Sequence, residues 1–460
     1  MVAVAWQYEA LEDEVVADHG TTSTLIVGLG ATGLAVARHL AALGDRLLII
    51  DSRAEPPGLE SMRAQFPDLP IKLETLDPAC LDGVDRLVLS PGLSADLPLV
   101  AEARRRGIAV IGDIELFAAE ARAPVLAVTG SNGKSTVATL TQAILTAHGL
   151  NVPAGGNLGP PALELLREPA ADAYVLEISS FQMEVTTSLR PLAAAVLNVS
   201  PDHLDRHGSL ERYAALKAKL LAAAEQAVFN WDDPIVRAMG ERHERPIPFS
   251  VREPLAHGYS AATVAGERWL LRGAKMIMPV GELGLLGGHN EANVLAALAL
   301  ADALTGGSDA AVEALRSFKG LPHRCQWVAE KRGVTYVNDS KGTNVGATVA
   351  ALHGSAAPVV LVAGGQGKGA DFAALAVAGK DKLRAAVLIG EAAPTLKAVL
   401  EPVCPTVQCA DMTQAVNAAA RLALPGDTVL LSPACASQDM FLDYRARGEA
   451  FAAAVAELPA

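Results

Sequence analysis

The sequence has no CxxC pair among its five cysteines, no apolar run near the ~18 residues that span a bilayer, and a deficit of positive charge. The cysteines, Cys80, Cys325, Cys404, Cys409 and Cys435, are odd in number and scattered. That excludes a disulfide frame or a thiolate zinc site and suits reduced thiols in a cytoplasmic protein. Fifty-one acidic against 38 basic residues leave a net charge of −13, which repels nucleic acid phosphates and anionic membrane surfaces. No nucleic acid and no membrane is therefore expected as a partner. The stretch MVAVAWQYEALEDEVVADHG is acidic where a signal peptide would be basic and lacks a long apolar centre. It reads as a loose extension over residues 1–22, with no assigned role. Repeat arrays and low-complexity tracts are also missing.

What is present is an alternation of short apolar runs with Ala/Leu-rich helical segments, the pattern of parallel sheets covered by helices. The runs STLIVGLG, RLLIIDS, RLVLSPG, VLAVTG, YVLEISS, AAVLNVS, VVLVAGG, AVLIGE and TVLLSPA each end in Gly, Ser, Asn, Asp, Glu or Ala. The chemistry-bearing residues cluster just after them, where open α/β sheets bind ligands. At 460 residues the chain suits three domains. The expected class is α/β, with a Rossmann-like domain over 1–112, a central P-loop ATPase-like parallel sheet over 113–321 and a Rossmann-like C-terminal domain over 322–460. Residues 226–285 are richer in Pro, Gly and Arg and predict a less regular stretch.

Residues 28–33, GLGATG, match G-x-G-x-x-G between a strand and a helix, and Asp51 ends the next strand. The glycines suit close approach to a diphosphate and the acid suits a ribose hydroxyl, while the bland alternative is a tight strand–helix turn. A further strand ends in Ser90-Pro91-Gly92, adding backbone donors at the same edge. A second glycine-rich turn, GSNGKST at 130–136, lies between the strand PVLAV and the helix STVATLTQAIL. It lacks the first glycine of the full phosphate-binding loop, since Val128 stands there. Gly130, Asn132 and Gly133 can still aim amides at phosphates, Lys134 can neutralise them, and Ser135 can ligate Mg²⁺. Glu177, after the buried run AYVL, is costly unless paired or bound to a cation, and His203 is delivered to the same sheet edge by AAVLNVSPDHLD. In the helix SLERYAALKAKLL, capped by Ser209, Leu210, Tyr213, Lys217 and Leu220 fall on one apolar face. On spacing alone Lys217 is expected to snorkel, and Lys219, on the other side, to serve only solubility.

Three strand ends of the last part carry Asn338-Asp339-Ser340-Lys341-Gly342-Thr343, Gln366-Gly367-Lys368 and Ser437. Cationic and hydroxyl groups at successive strand ends suit a small anionic substrate, although any one lysine could simply be solvated.

Taken in order, GSNGKST, LEISSFQME, NVSPDHLDRH with Lys217, GHNEANVLAALALA, GLPHR, NDSKGTN, GGQGKGADF and LLSPACASQDMF resemble the Mur ligases, from about Thr24 to Phe451. That family uses the shortened loop, so Val128 belongs there. The resemblance implies ATP and Mg²⁺ as cofactors, bound through Gly130, Ser131, Asn132, Gly133, Lys134, Ser135, Thr136 and Glu177. It places His203 and Lys217, carbamylated in the family, at a second Mg²⁺, and Asn293, Arg324 and Asp339 at the nucleoside. Thr32, Asp51, Ser52, Arg53, Ser90 and Gly92 would hold a UDP substrate, with Asn157 near its sugar. Lys341, Thr343, Lys368, Ser437 and Tyr444 would surround an incoming amino acid, with Tyr444 standing where phenylalanine is expected. The implied reaction is ATP-driven addition of D-glutamate to UDP-N-acetylmuramoyl-L-alanine through an acyl phosphate, in peptidoglycan precursor synthesis, by a cytoplasmic monomer. A related ligase adding another amino acid such as L-glutamate, an NAD-dependent oxidoreductase built on GLGATG and Asp51, and a nucleotide-gated binding module remain as alternatives.

Overall fold

A computed structural model of the chain describes residues 22–167, 170–285, 288–307, 310–355 and 358–459. All but the last residue of the N-terminal extension lies outside them. The chain divides into two compact units at Ile111 and Gly112.

The first unit is a five-stranded parallel sheet in the order Ile71–Lys72, Arg46–Ile50, Ser23–Val27, Arg86–Leu89, Ala109–Ile111. Its strands read as near-continuous apolar runs because helices such as Ala31–Ala42 pack against the sheet, burying Leu25, Ile26, Val27, Ile49 and Ile50. The strand order reverses between Ser23–Val27 and Arg86–Leu89, so the two loops GLGATG and Ser90-Pro91-Gly92 meet at one switch point.

The second unit holds two sheets. One has nine strands, with Val125–Thr129 flanked in parallel by Tyr174–Glu177 and Ala193–Val196, so the loops that follow these three strands share one edge. At its far end the sheet turns antiparallel over Tyr259–Val264, Glu267–Arg272 and Lys275–Pro279, within the stretch expected to be irregular. The first of these hairpins closes through Ala265 and Gly266, both at positive φ (50° and 87°), the backbone of a two-residue hairpin turn without its usual Asn-Gly or Asp-Gly signature. The other sheet has six strands, with Val334–Asn338, Thr428–Leu431 and Val359–Gly364 adjacent and parallel. These three deliver the loops at 339–344, 432–437 and 365–368. No helix among the described residues is long and apolar enough to cross a membrane.

Candidate active site

The shortened loop folds as a nest between the strand Val125–Thr129 and the helix Lys134–Ala147. Its partners come from the neighbouring strand end: Ser131 N donates to Asn198 O (3.0 Å), Asn132 N to Asn198 Oδ1 (2.8 Å), and the Ser131 hydroxyl to Ser200 O (3.1 Å). Gly133 has φ +87°, and a Cβ there would collide with Oδ1 of Asn293, whose amide donates to Asn290 Oδ1 at 2.9 Å. Glycine is thus required both by conformation and by the close approach of Asn293.

Two buried lysines converge on this loop. Lys134 Nζ donates to Gly130 O and Ser131 O, each at 2.9 Å. Lys217 Nζ also donates to Gly130 O at 2.9 Å, and it lies 4.2 Å from the centre of the Tyr213 ring. Lys217 is only 1 % exposed, so the snorkelling expected from spacing does not occur: its own helix is packed too deeply for the four-carbon stem to reach water. Burial pushes its pKa well below the usual lysine range; Lys134 adds to the lowering, and Asp202 and Glu177 oppose it. Lys134 is lowered by burial as well, with Glu177 as the main opposing charge. Lys219 is exposed but not merely solvated, because its amine donates to Met183 O at 2.9 Å.

Glu177 is 2 % exposed. Its Oε1 accepts from Asn157 Nδ2 at 2.5 Å, and its Oε2 is buried with no hydrogen-bond partner. Burial alone would raise its pKa, but the nearby Lys134 ammonium leads the groups that hold it low, so the carboxylate is ionised. An ionised, half-satisfied buried carboxylate is costly unless a cation completes it. His203 has φ +54° and sits edge-on to Phe181 at 4.8 Å between ring centres, with Nε2 3.6 Å from Asp202 Oδ2. Burial lowers its pKa against the pull of Asp202, and Lys368 and Lys134 lower it further, leaving a neutral imidazole with a lone pair to offer. Carboxylate and hydroxyl oxygens are the donors a hard divalent cation prefers, and the buried Lys217 amine, its pKa lowered by burial, would match them once it gains an anionic oxygen.

The six-stranded sheet reaches this loop directly. Arg324 donates to Ser135 Oγ at 2.6 Å. Asn132 and Asn344 exchange amide hydrogen bonds of 3.3 and 3.1 Å, and Asn344 also donates to Asp202 Oδ2 at 3.0 Å while capping the helix Val345–Gly354. A cavity of about 670 Å³ opens between the two sheets, lined by Asn132, Gly133, Thr136, Asn293, Arg324 and Asp339, with Phe249, Val251 and Leu285 as apolar wall. Its size and its mix of apolar wall and few polar groups suit a nucleotide. Burial lifts the Asp339 carboxyl to about 6 although Ser432 and the Cys325 amide donate to it.

The remaining expected residues are less tightly gathered. Lys341 Nζ lies 3.8 Å over the Tyr444 ring, whose hydroxyl accepts from Arg445 at 3.3 Å, so tyrosine here supports a lysine and gains a hydrogen bond that phenylalanine lacks. The Thr343 amide donates to Lys341 O (2.8 Å), Lys368 is exposed at φ +49°, and Ser437 is 2 % exposed.

In the first unit Thr32 lies in the first turn of its helix, and Ser52 and Gly92 are exposed. Asp51 is 1 % exposed and fully engaged: it accepts from Leu29 N (2.7 Å), Arg53 N (2.9 Å) and the Arg53 guanidinium (2.8 and 2.7 Å). Burial would raise its pKa, but the Arg53 side chain and the two amides bring it to about 2. Ser90 donates to Gly28 O at 3.0 Å. The acid read as a ribose ligand is spent on protein atoms, and the half-exposed Arg53 is the group it presents.

Sequence reasoning passed over Asn198, Asp202 and Asn344, and took Tyr213 only as part of an apolar face. Asn198, Asp202 and Asn344 act through contacts between segments distant in sequence.

Against known proteins, three descriptions match in order: "Mur ligase MurD-like, N-terminal domain" over 22–112, "Mur ligase middle domain" over 128–301 and "Mur ligase, glutamate ligase domain" over 323–435. A UDP-N-acetylmuramoylalanine--D-glutamate ligase of Nitrosococcus oceani is 47 % identical over 452 residues, covering 98 % of this chain and 99 % of that one. The protein of that name from Methylococcus capsulatus is 48 % identical over 434 residues, 94 % of each chain. Among solved structures, the Thermotoga maritima UDP-N-acetylmuramate-alanine ligase MurC is similar with a TM-score of 0.59 at 19 % identity, covering 94 % of this chain and 99 % of that one. Thermotoga maritima MurF, solved with ADP, has a TM-score of 0.58 at 18 % identity over 95 % and 96 %.

Proposed function

This chain belongs to the Mur ligase family, and on that premise we propose that it is the ATP-dependent ligase that joins D-glutamate to UDP-N-acetylmuramoyl-L-alanine in peptidoglycan precursor synthesis. The observation that carries the reading is the pairing of Lys134 and Lys217 on one carbonyl of the shortened loop, beside a buried carboxylate with an unpartnered oxygen. A simple nucleotide-binding module has no use for that charge arrangement.

In the reaction the alanyl carboxylate attacks the γ-phosphorus of ATP and ADP leaves; the glutamate amine then attacks the acyl carbon and phosphate leaves. Lys134 meets the negative charge that gathers on the β,γ-bridging oxygen as ADP leaves, and the loop amides hold the phosphates from the helix N-terminus. Ser135 and Glu177 would hold one Mg²⁺ and His203 and Lys217 a second, which when bound would supply charge neutralisation between two anions that otherwise repel. Lys217 meets that role as a carbamate: its uncharged amine adds CO₂ with loss of one proton and becomes an anionic oxygen donor. Burial at 1 % exposure and the lowered pKa favour the reacting amine.

The nucleoside of ATP fills the 670 Å³ cavity against Asn293, Arg324 and Asp339. Lys341, Thr343, Lys368, Ser437 and Tyr444 receive the carboxylates of glutamate. The first domain, 1–112, takes the UDP through Thr32, Asp51, Ser52, Arg53, Ser90 and Gly92, with Asp51 acting by fixing Arg53 and the Leu29 amide; 113–321 and 322–460 are the ATP and amino-acid domains. Asp51 is occupied internally, which disfavours the NAD reading, since the acid has no lone pair left for a ribose. The chain acts as a cytoplasmic monomer. Phosphate release from ATP with UDP-N-acetylmuramoyl-L-alanine and each glutamate enantiomer tests the proposal: release that depends on D-glutamate is expected, and equal or greater release with L-glutamate overturns it.

A further inference from the structure

Arg447 lies on the first turn of the helix Tyr444–Glu457, whose cap Asp443 accepts from Ala446 N at 2.8 Å. Its side chain turns into the edge of the six-stranded sheet and is 1 % exposed, the bulkiest of the fully buried side chains. Among the described residues no carboxylate pairs with it. Its guanidinium donates instead to neutral oxygens: Nε to Ser340 Oγ (3.1 Å), Nη2 to Ser340 O (2.9 Å), and Nη1 to Cys435 O (3.1 Å), Ala436 O (3.2 Å) and Gly364 O (3.4 Å).

Gly364 ends the strand Val359–Gly364, and Ser340, Cys435 and Ala436 lie in the loops that follow the adjacent strands Val334–Asn338 and Thr428–Leu431. The loops that follow these three strands carry Lys341 and Thr343, Ser437, and Lys368. No other side chain described above touches all three. The fit is close on the third loop, where Gly365 has φ +126° and a Cβ would collide with Ala436 O and come within 3.1 Å of Arg447 Nη1. Resting on the glutamate-ligase reading of this edge, we infer that Arg447 is the positioning residue of the amino-acid site, fixing three loops in one relative arrangement without touching the amino acid.

The chemistry favours arginine for this task. A planar fork of five N–H donors can serve acceptors on different sides at once, which a lysine ammonium on a single-point stem cannot. Burial lowers its pKa to about 10, with Cys435, Asp439 and Asp339 opposing, so it stays charged at neutral pH. An unpaired buried cation is an expensive way to fill volume, and an apolar side chain of similar size would do so with less desolvation. What the apolar replacement would lack is the link between the loops.

The test uses the full chain with Arg447→Lys and Arg447→Met, and two readouts of the same reaction. Hydroxylamine captures the acyl phosphate as a hydroxamate without needing the amino-acid loops, whereas amide formation from D-glutamate needs them. Both variants should keep the hydroxamate rate and the ATP KM within about threefold, while the D-glutamate KM rises about tenfold or more in Arg447→Lys and further in Arg447→Met, the order of loss expected when a bound group is misplaced by ~1 Å. If Arg447→Met does not fold, Arg447→Lys still decides, because it keeps the charge and loses the fork. A parallel fall of hydroxamate and amide, or an unchanged glutamate KM in a folded variant, overturns the role of Arg447 alone. A wild-type chain that makes hydroxamate but no glutamate amide overturns the glutamate reading itself.

Discussion

Two glycine-rich turns sit at the mouths of two parallel sheets, and they manage their polar groups in opposite ways. At residues 28–33 every strong group nearby is spent internally: Asp51 on Leu29 N and Arg53, and the Ser90 hydroxyl on Gly28 O. At residues 130–133 two lysines crowd one carbonyl and a neighbouring carboxylate oxygen is left without a partner. A self-satisfied turn holds shape for a ligand that brings its own balance of charge; an unsatisfied one anticipates charge that must arrive. Chemistry is found where the protein has left its electrostatics unfinished.

The unfinished turn depends most on Lys134. Lys134→Ala should lower kcat by at least ~10²–10³-fold, the scale for removing one preorganised charge donor, with steady-state phosphate release as the measurement. Lys217→Ala should be similarly inactive but partly restored by small carboxylic acids that place a carboxylate in the vacated volume, whereas Lys134→Ala should not respond. Rescue of both alike, or of neither, would remove the carbamate from the account.

The matched glycines sharpen the contrast. Gly33→Ala drives a methyl into the backbone oxygen of Gly28, so it should destabilise the first unit by ~1–3 kcal/mol, read as a lower Tm, with nucleotide affinity nearly intact. Gly133→Ala meets the side-chain oxygen of Asn293 at φ +87°, so it should weaken ATP binding about tenfold, a loss of ~1.4 kcal/mol, in a titration of the folded protein.

The smallest effect is in acid. Asp51 has its pKa brought from 3.8 to about 2 in the folded chain, so the unfolded form takes up its proton first as pH falls. Its contribution to stability is complete above 3.8 and disappears as pH approaches 2. A plot of Tm against pH should therefore fall less steeply over that window in Asp51→Asn than in the parent, and identical slopes would show that the carboxylate is not held as described.

Much of this was legible in the sequence because it is local. Apolar runs ending in small or polar residues mark the parallel strands, and the offset of Lys217 from Tyr213 and Leu220 puts the lysine on the buried face. Depth is not legible in the same way: spacing reports which face a lysine occupies but not how far that face lies from water. The antiparallel strands between Tyr259 and Pro279 were obscured by an Ala-Gly turn in place of the commoner signals. The partners Asn344, Asp202 and Arg447 were invisible for a third reason. Each acts on groups far along the chain, Asn344 on Asn132 at a separation of 212 residues, and no periodicity carries that information.

That amide pair also bears on time. Two neutral amides facing each other exchange hydrogen bonds that water would otherwise provide, so their net hold is only ~1–3 kcal/mol together. A hold of that size corresponds to roughly a 5- to 150-fold factor in the rate at which the two loops could be pulled apart. Asparagine on both sides makes this a contact between two neutral groups, each replaceable by water at little cost, at the seam between the two loops.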